Sequence, residues 1–154
     1  MRPGRHTARL CPFLFCSSLA YAVYNQKGNV PGYTEGQGPI VHLVSGAQRV
    51  EAAGLDFVFT DGHAIMGFTE FFEDLSQLDR IDWRIMRARY WSDTQTDSDR
   101  SRRRQAEFLL RDFLPWDLIT EIGVIDRDRK ARVEAVLGAV AHRPRVTVRR
   151  NWYH

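Results

Sequence analysis

The stretch SRRRQAEFLLRDFLPW, residues 101–116, passes from three consecutive arginines to an apolar segment, with the acidic Glu107 at the junction. Residues 107–114 predict a strand, because a short apolar run here ends before a proline. On a strand, Gln105 and Glu107 would face the same side, and Phe108 would face the core. A carboxylate is therefore expected where a basic loop meets a buried strand.

The flanking sequence supplies the rest of the predicted fold. Strands are predicted, from apolar runs or alternation, at residues 39–45, 55–62, 122–125 and 145–150. Helices are predicted, from apolar spacing, at residues 64–75, 81–91 and 126–140. In the last helix Asp126 caps the start, and the buried face comprises Val133, Val136, Leu137 and Val140. Because these elements lack a regular βαβ rhythm, the predicted fold class is α+β.

Composition bounds the function less sharply than the local motifs do. The 154 residues, 27% charged and 44% hydrophobic, suit one globular domain. A net charge of +3 is only mildly basic, so the local clustering of arginine carries more information.

The two cysteines, Cys11 and Cys16, form neither a disulfide framework nor a zinc site. The sequence has no Walker loop, no G-x-G-x-x-G motif and no plausible Ser-His-Asp set, and His42 reads as a satisfied core histidine.

Glu107 is the first candidate for chemistry. A carboxylate at the mouth of a strand can accept a hydrogen bond from a sugar hydroxyl and stabilise a developing cation. The adjacent Arg102, Arg103 and Arg104 could hold phosphates and keep that carboxylate ionised. A surface glutamate paired with an arginine-rich loop is the alternative, and a single Q-x-E pattern does not decide between them.

His63 is the second candidate, in FTDGHA at residues 59–64. It follows a predicted strand and a glycine turn and opens a predicted helix. Such a histidine could donate to a phosphate or a base, aided by the helix N-terminus. The alternative is an ordinary capping or packing residue.

The third candidate is the basic and aromatic stretch WRIMRARYW, residues 83–91. Single-stranded nucleic acid is bound by this combination, in which arginines contact the backbone and rings stack on bases. The residues concerned are Trp83, Arg84, Arg87, Arg89, Tyr90 and Trp91. The alternative is an amphipathic helix with its rings in the core and its arginines in water.

Three segments together resemble the DarT family of bacterial thymidine ADP-ribosyltransferase toxins. They are GQGPIVHLVS, FTDGHAIMGFTEFFEDLSQLDRIDWRIMRARYW and RRRQAEFLLRDFLPWDLITEIGVI. The resemblance is strongest over residues 36–125 and continues to NWYH at the end, so we expect residues 1–154 to form one DarT-like domain. It implies an ADP-ribosyltransferase fold, a split β-sheet that binds NAD. It also implies transfer of ADP-ribose from NAD, without a metal, to a thymine ring nitrogen in single-stranded DNA.

The resemblance also implies roles for individual residues. Glu107 falls on the family's catalytic glutamate, and His63 falls where the family lines its substrate site. Gln105 is an expected NAD-binding residue. The DNA-presenting stretch is expected to include Arg87, Arg89, Tyr90, Trp91, Arg102, Arg103 and Arg104. The expected partner is a DarG-like macrodomain antitoxin that removes the modification, and the expected location is the cytoplasm, with no membrane association.

The N-terminal residues depart from the family pattern. The resemblance implies an upstream segment with a His-x-Thr motif and an essential arginine, and His6-Thr7 does not match it. Ser17, Ser18 and Leu19 stand where the family has arginine, serine and proline. We therefore expect an N-terminally truncated enzyme of weak or lost activity, with a catalytically inactive DNA-binding remnant as the alternative.

Residues 1–22 also have the outline of a secretory signal peptide, with a basic start and Ala20-Tyr21-Ala22 at the end. Their apolar run is short and contains Pro12, and no apolar stretch approaches the length of a membrane span. We favour a strand at residues 12–15, followed by a loop, over the secreted alternative.

Overall fold

The computed structural model describes residues 33–153. In this range six strands form two three-stranded sheets, ordered β1-β5-β6 and β3-β2-β4. The strands are β1 (His42–Val44), β2 (Phe57–Thr60), β3 (Phe71–Phe72), β4 (Phe108–Leu110), β5 (Glu121–Val124) and β6 (Arg145–Val148). The α-helices are α1 (Ala47–Ala52), α2 (Trp83–Arg87), α3 (Arg100–Arg103) and α4 (Arg127–Leu137). Short 3₁₀ helices span Leu75–Arg80, Trp116–Leu118 and Arg150–Trp152.

The first sheet is built around β5, which pairs antiparallel with β1 and parallel with β6. The parallel pair is joined by α4, which begins at the Asp126 cap, where the carboxylate accepts the Arg129 N–H. Apolar side chains from the two strands and the helix form one core cluster, which comprises Ile119, Ile122, Val124, Leu137 and Val146. One βαβ unit therefore exists, although the chain as a whole does not repeat it.

The second sheet positions the candidate site. Its central strand β2 pairs antiparallel with β3 and β4, with Phe59 opposite both Phe72 and Phe108. Phe59 is fully buried, and its ring stacks on that of Phe72 with centroids 5.3 Å apart. Between residues 33 and 153 no strand of one sheet pairs with the other sheet. The predicted α+β class with a split sheet is therefore confirmed.

The predicted helix over residues 64–75 is wrong. Turns follow β2, and then β3 pairs with it, before the 3₁₀ helix begins at Leu75. The apolar spacing here does not mark a buried face, because Ile65 is 82% exposed and Phe68 is 64% exposed. Consequently His63 does not open a helix, and the expected support from a helix N-terminus is absent.

Two other helices differ from their predictions. The helix predicted over residues 81–91 is only α2, because the backbone becomes extended at Ala88. Ile81, which precedes this helix, and Ile85 within it are both buried. The short helix α1, which buries Ala47 and Val50, was not predicted.

The buried face of α4 is narrower than predicted. Leu137 is buried and Val133 packs against the core, but Val136 is 75% exposed and Val140 is 37% exposed. Leu137 and Val133 lie one turn apart and contact the sheet, whereas Val136 is rotated about 100° away from Leu137. Our expectations for the cysteines, the signal peptide and the strand at residues 12–15 lie outside the described residues.

His42 is buried as predicted, at 3% exposure, but it is not fully satisfied. Its Nε2 atom makes no hydrogen bond to any residue between 33 and 153. The ring instead makes edge contacts with Trp152 and Tyr153, at centroid distances of 5.5 and 4.8 Å. Burial lowers the pKa of His42, which favours the neutral ring.

Candidate active site

Glu107 lies immediately before β4 and is fixed by the end of β2. Its N–H donates to the Thr60 Oγ1 at 2.9 Å, and its carbonyl accepts the Thr60 N–H at 2.9 Å. Its side chain is 20% exposed, so the carboxylate is partly sheltered yet reachable from solvent. Two hydrogen bonds to Thr60 therefore fix the backbone of Glu107, independently of its side chain.

His63 approaches the same carboxylate from the turn that follows β2. Its Nδ1 lies 3.5 Å from the Glu107 Oε1, and its side chain is 34% exposed. This is a close contact rather than a hydrogen bond, and Nδ1 has no hydrogen-bond partner among the described residues. The His63 carbonyl accepts the Thr69 hydroxyl at 2.7 Å and the Met66 N–H at 3.1 Å, so the turn itself is fixed. The two sequence candidates are thus brought together.

Arg102 joins this turn to the arginine-rich segment. It donates to both carboxylate oxygens of Asp61, at 3.0 and 3.2 Å, and to both oxygens of Asp99, at 2.7 Å each. Its guanidinium also lies 5.2 Å from the centre of the Phe68 ring, and its side chain is only 11% exposed. Arg102 is therefore committed to internal partners, and its proposed contact with DNA phosphate stays a prediction.

Arg103 is engaged in a similar way. It donates to Asp82, and it contacts both oxygens of Asp97 at 2.5 and 2.7 Å. Its Nε also donates to the Asp99 carbonyl at 3.3 Å. These bonds tie α3 to the cap of α2, because Asp82 also accepts the N–H groups of Arg84 and Ile85.

Electrostatics keep this arginine–aspartate cluster charged. Hydrogen bonding to Asp99 is the main factor that raises the pKa of Arg102, with Asp61 contributing further. In turn Arg102 lowers the pKa of Asp99, and Arg103 lowers the pKa of Asp97, in each case chiefly through a hydrogen bond to the carboxylate. At neutral pH the cluster is a set of matched charges, so the arginine run is less basic than its sequence indicates.

The solvent-facing members of the predicted DNA surface lie just before this cluster. Arg87 and Arg89 are exposed, Tyr90 is 77% exposed, and the Arg89 guanidinium lies 5.6 Å from the centre of the Tyr90 ring. The segment is held by Arg100, which donates to the Tyr90 carbonyl at 2.8 Å and to the Ser92 carbonyl at 3.1 Å.

The remaining predicted site residues are less exposed. Trp91 and Arg104 are half-buried beside α3. Gln105 does not lie on a strand with Glu107, because its N–H bonds to the Arg102 carbonyl and its side-chain amide donates to the Ser101 carbonyl at 3.0 Å. The strand geometry from which the same-side projection of Gln105 and Glu107 was predicted is therefore absent at Gln105, and the proposed NAD contact of Gln105 stays a prediction.

The sequence argument missed the supporting residues, namely Thr60, Asp61, Arg100 and the aspartates of the cluster. One signal was present: residues 92–104 interleave aspartates with arginines, a pattern that favours local ion pairs. The pairing of Asp61 with Arg102 had no comparable signal.

Three further observations concern the described residues around and beyond the site. A groove of about 610 Å³ is lined by residues 55–58 and 109–111, but it lies at the opposite end of the β2–β4 pair from Glu107. Between residues 33 and 153 no group of three or more His, Cys, Asp or Glu side chains is placed to hold a metal ion. In the same part of the chain, no helix has the length and apolar character needed to cross a membrane.

Comparison with solved structures defines the class of fold. The structure of Thermus sp. 2.9 DarT in complex with NAD+ matches with a TM-score of 0.82 and 40% identity, covering 95% of this chain and 70% of that one. The same protein in complex with ADP-ribosylated ssDNA matches with a TM-score of 0.81, covering 90% and 65%. The fold is therefore ADP-ribosyltransferase-like.

Comparison of sequences gives the family. The protein-family model described as "ssDNA thymidine ADP-ribosyltransferase, DarT" matches residues 2–154 of this chain. A DNA ADP-ribosyl transferase of Thermus aquaticus is 44% identical over 147 residues, which cover 93% of this chain and 62% of the relative. The chain belongs to the DarT family, and it spans 62% of the length of that relative.

Proposed function

We propose that this chain transfers ADP-ribose from NAD to a thymine ring nitrogen in single-stranded DNA, with Glu107 as the catalytic residue. The family match supports the proposal, as do the Thermus sp. 2.9 complexes with NAD+ and with ADP-ribosylated ssDNA. The geometric observation that carries it is the sheltered Glu107 carboxylate, 3.5 Å from His63 and fixed through its backbone to Thr60.

The reaction assigns a definite task to this carboxylate. The bond between the nicotinamide and its ribose breaks, the nicotinamide leaves, and the ribose carbon bonds to the thymine nitrogen, which loses its proton. Glu107 stabilises the positive charge that develops on the ribose and takes up the proton. His63 lies beside this carboxylate, with its Nδ1 buried against the Glu107 Oε1 at 3.5 Å, so the exposed remainder of the ring is the part that would face a bound substrate.

The DNA strand is proposed to lie along the exposed residues before α3. Arg87 and Arg89 contact phosphates, and Tyr90 stacks on a base, since all three project into solvent. Arg102 and Arg103 stabilise the segments that carry this surface, through their ion pairs with Asp61 and Asp82. Gln105 is proposed to contact NAD, the ADP-ribose donor. Trp91 and Arg104 are proposed to complete the DNA-binding surface.

We further propose, on the family resemblance alone, that the chain is the toxin of a toxin–antitoxin pair. Its partner would be a DarG-like macrodomain that removes the ADP-ribose, and both proteins would act in the cytoplasm. Co-expression tests this: a macrodomain gene adjacent to this one should relieve the growth arrest that the chain causes. Growth arrest that persists with the active macrodomain would contradict the pairing.

The direct test incubates the chain with NAD and a thymidine-containing single-stranded oligonucleotide, followed by mass spectrometry. Glu107→Gln removes the negative charge at nearly constant volume. Glu134→Gln makes the same change on α4, where the exposed glutamate lies 3.7 Å from the Lys130 Nζ. We expect an ADP-ribose adduct with wild type and Glu134→Gln, and at least about a thousandfold less with Glu107→Gln.

Three other outcomes of this assay would contradict or change the proposal. An adduct of equal yield with Glu107→Gln would overturn the role of this residue. No adduct with wild type, together with salt-sensitive DNA binding that survives Glu107→Gln, would favour a catalytically inactive DNA-binding protein. Activity that appears only when the family's upstream segment is supplied would assign the NAD-binding half of the site to that segment.

A further inference from the structure

The hydroxyl of Thr60 bridges the two halves of the candidate site. Thr60 is the last residue of β2 and is fully buried. Its hydroxyl donates to the Gly62 carbonyl at 2.6 Å and accepts the Glu107 N–H at 2.9 Å. The Glu107 carbonyl is 3.4 Å away, so the single hydroxyl proton is directed to Gly62 and a lone pair is left for Glu107.

This one oxygen therefore fixes two backbone segments that lie far apart in sequence. Gly62 directly precedes His63, and Glu107 carries the carboxylate that His63 approaches. From the other side, Thr69 holds the His63 carbonyl. We propose that Thr60 is a positioning residue that sets the spacing between His63 and Glu107, an inference that rests on the proposed function of Glu107.

The side-chain type fits this task. A β-branched residue has few χ1 rotamers, so the hydroxyl of a buried threonine is held in one direction. Valine has the same shape but cannot bond, and it would leave a buried N–H and a buried carbonyl without their partner. Because Thr60 is completely buried, water has no direct route to replace the hydroxyl. The two segments would have to move to regain hydrogen bonds.

The first test is kinetic and uses Thr60→Ser, Thr60→Cys and Thr60→Val. Hydrogen-bonding strength falls in that order, because a thiol is a weak donor and acceptor and a methyl group is neither. We expect kcat for DNA modification to fall in the same order, by about tenfold to a hundredfold for Thr60→Val, with KM for NAD changed less than about threefold. Thr120→Val is the matched control, since that hydroxyl donates to the Val44 carbonyl in the other sheet at 3.2 Å.

The second test does not require activity. Amide hydrogen exchange at Glu107 should be at least about tenfold faster in Thr60→Val, relative to the amides of β4, and unchanged in Thr60→Ser and Thr120→Val. If Val does not fold, the comparison of Ser with Cys gives the same order. If wild type fails to modify DNA, the proposed function falls, and exchange alone decides the positioning role.

Three results would overturn the inference. The first is Glu107 exchange in the Cys and Val variants that matches wild type. The second is a kcat order that follows side-chain volume rather than hydrogen bonding, with serine worse than valine. The third is loss of stability without a kcat change in the folded fraction, which would assign Thr60 a purely structural role.

Discussion

Arg102 binds both carboxylate oxygens of Asp61, although the two residues lie 41 positions apart in the chain. The turn that carries His63 is thereby attached to the helix that precedes Glu107. A run of three arginines beside the candidate site suggests phosphate binding, yet two of the three are paired with aspartates. The structure therefore shows two groups of arginines. Arg102 and Arg103 hold parts of the site together through ion pairs, whereas Arg87 and Arg89 face solvent.

The absence of a side chain at Gly62 should be required for the contact between Arg102 and Asp61. A Cβ at Gly62 would lie 2.2 Å from the Arg102 Nη1 and 2.9 Å from its Cγ. Because Arg102 is held by two aspartates, it cannot swing away freely, and we expect Gly62→Ala to cost about 1–3 kcal/mol of unfolding free energy. Gly67→Ala is the control, since its Cβ would meet nothing within 4 Å. Equal denaturant midpoints for the two variants would contradict this account.

The exposed and paired arginines should respond differently to salt. Arg89→Gln should weaken single-stranded DNA binding and reduce the salt slope of log K by about 0.7, the value for one lost phosphate contact. Arg103→Gln should leave that slope nearly unchanged, but it should lower stability because Asp82 and Asp97 lose their partner. Fluorescence anisotropy titrations at several salt concentrations measure both, and a larger slope change for Arg103 would reverse the assignment.

Tyr90 should contribute base stacking without contributing to stability. It is 77% exposed, so Tyr90→Ala should weaken DNA binding by about 1–3 kcal/mol with little change in melting temperature. Phe113→Ala removes another exposed ring, 70% exposed, from the chain after β4 and should leave DNA binding unchanged. Similar binding losses in the two variants would indicate non-specific contacts.

Glu121 should make the first sheet sensitive to acid. Its carboxylate accepts from Arg149 at 2.8 Å and from Arg145 at 2.9 Å, and chiefly the Arg149 hydrogen bond lowers the pKa of Glu121 below its ordinary 4.5. A lowered folded-state pKa means that the stabilisation is complete above about pH 4.5 and is lost as pH falls through the folded value. We expect Glu121→Gln to cost about 1–3 kcal/mol at pH 7.

The check is the difference in unfolding free energy between wild type and Glu121→Gln across the acid range. That difference should shrink as the pH falls from 5 to 3. The comparison isolates Glu121 from the other carboxylates, which titrate equally in both proteins. A difference that stays constant with pH would show that the ion pairs do not carry the stabilisation.

Five of the six described strands were predicted, whereas β3 and the short helices α1 and α3 were not. An apolar run identifies β2, and period-two alternation identifies β6, from local sequence alone. Residues 64–75 have helical spacing, but Phe71 and Phe72 gain more by pairing with β2, and the expected helix face is left as exposed turns. Non-local pairing overrides a local pattern here, and such pairing is invisible in a single window of sequence.

The site was predictable in its principal residues but not in its construction. Glu107 stood out at a charge boundary and His63 at a glycine turn, and the family resemblance gave them a common role. Their 3.5 Å approach depends on the β2–β4 register, which no spacing in the sequence reveals. Gln105 was placed on the strand because its spacing from Glu107 suits one, whereas the turn after α3 includes it.

The bonds between Thr60 and Glu107 span 47 residues, and this has a consequence for the order of folding. Closing so long a loop is entropically costly, so the contact forms after the local turns and helices do. A ribosome-bound chain cannot assemble the site before β4 has been synthesised and has paired with β2. If the chain modifies DNA as proposed, its activity is delayed until β4 has left the ribosome and paired with β2.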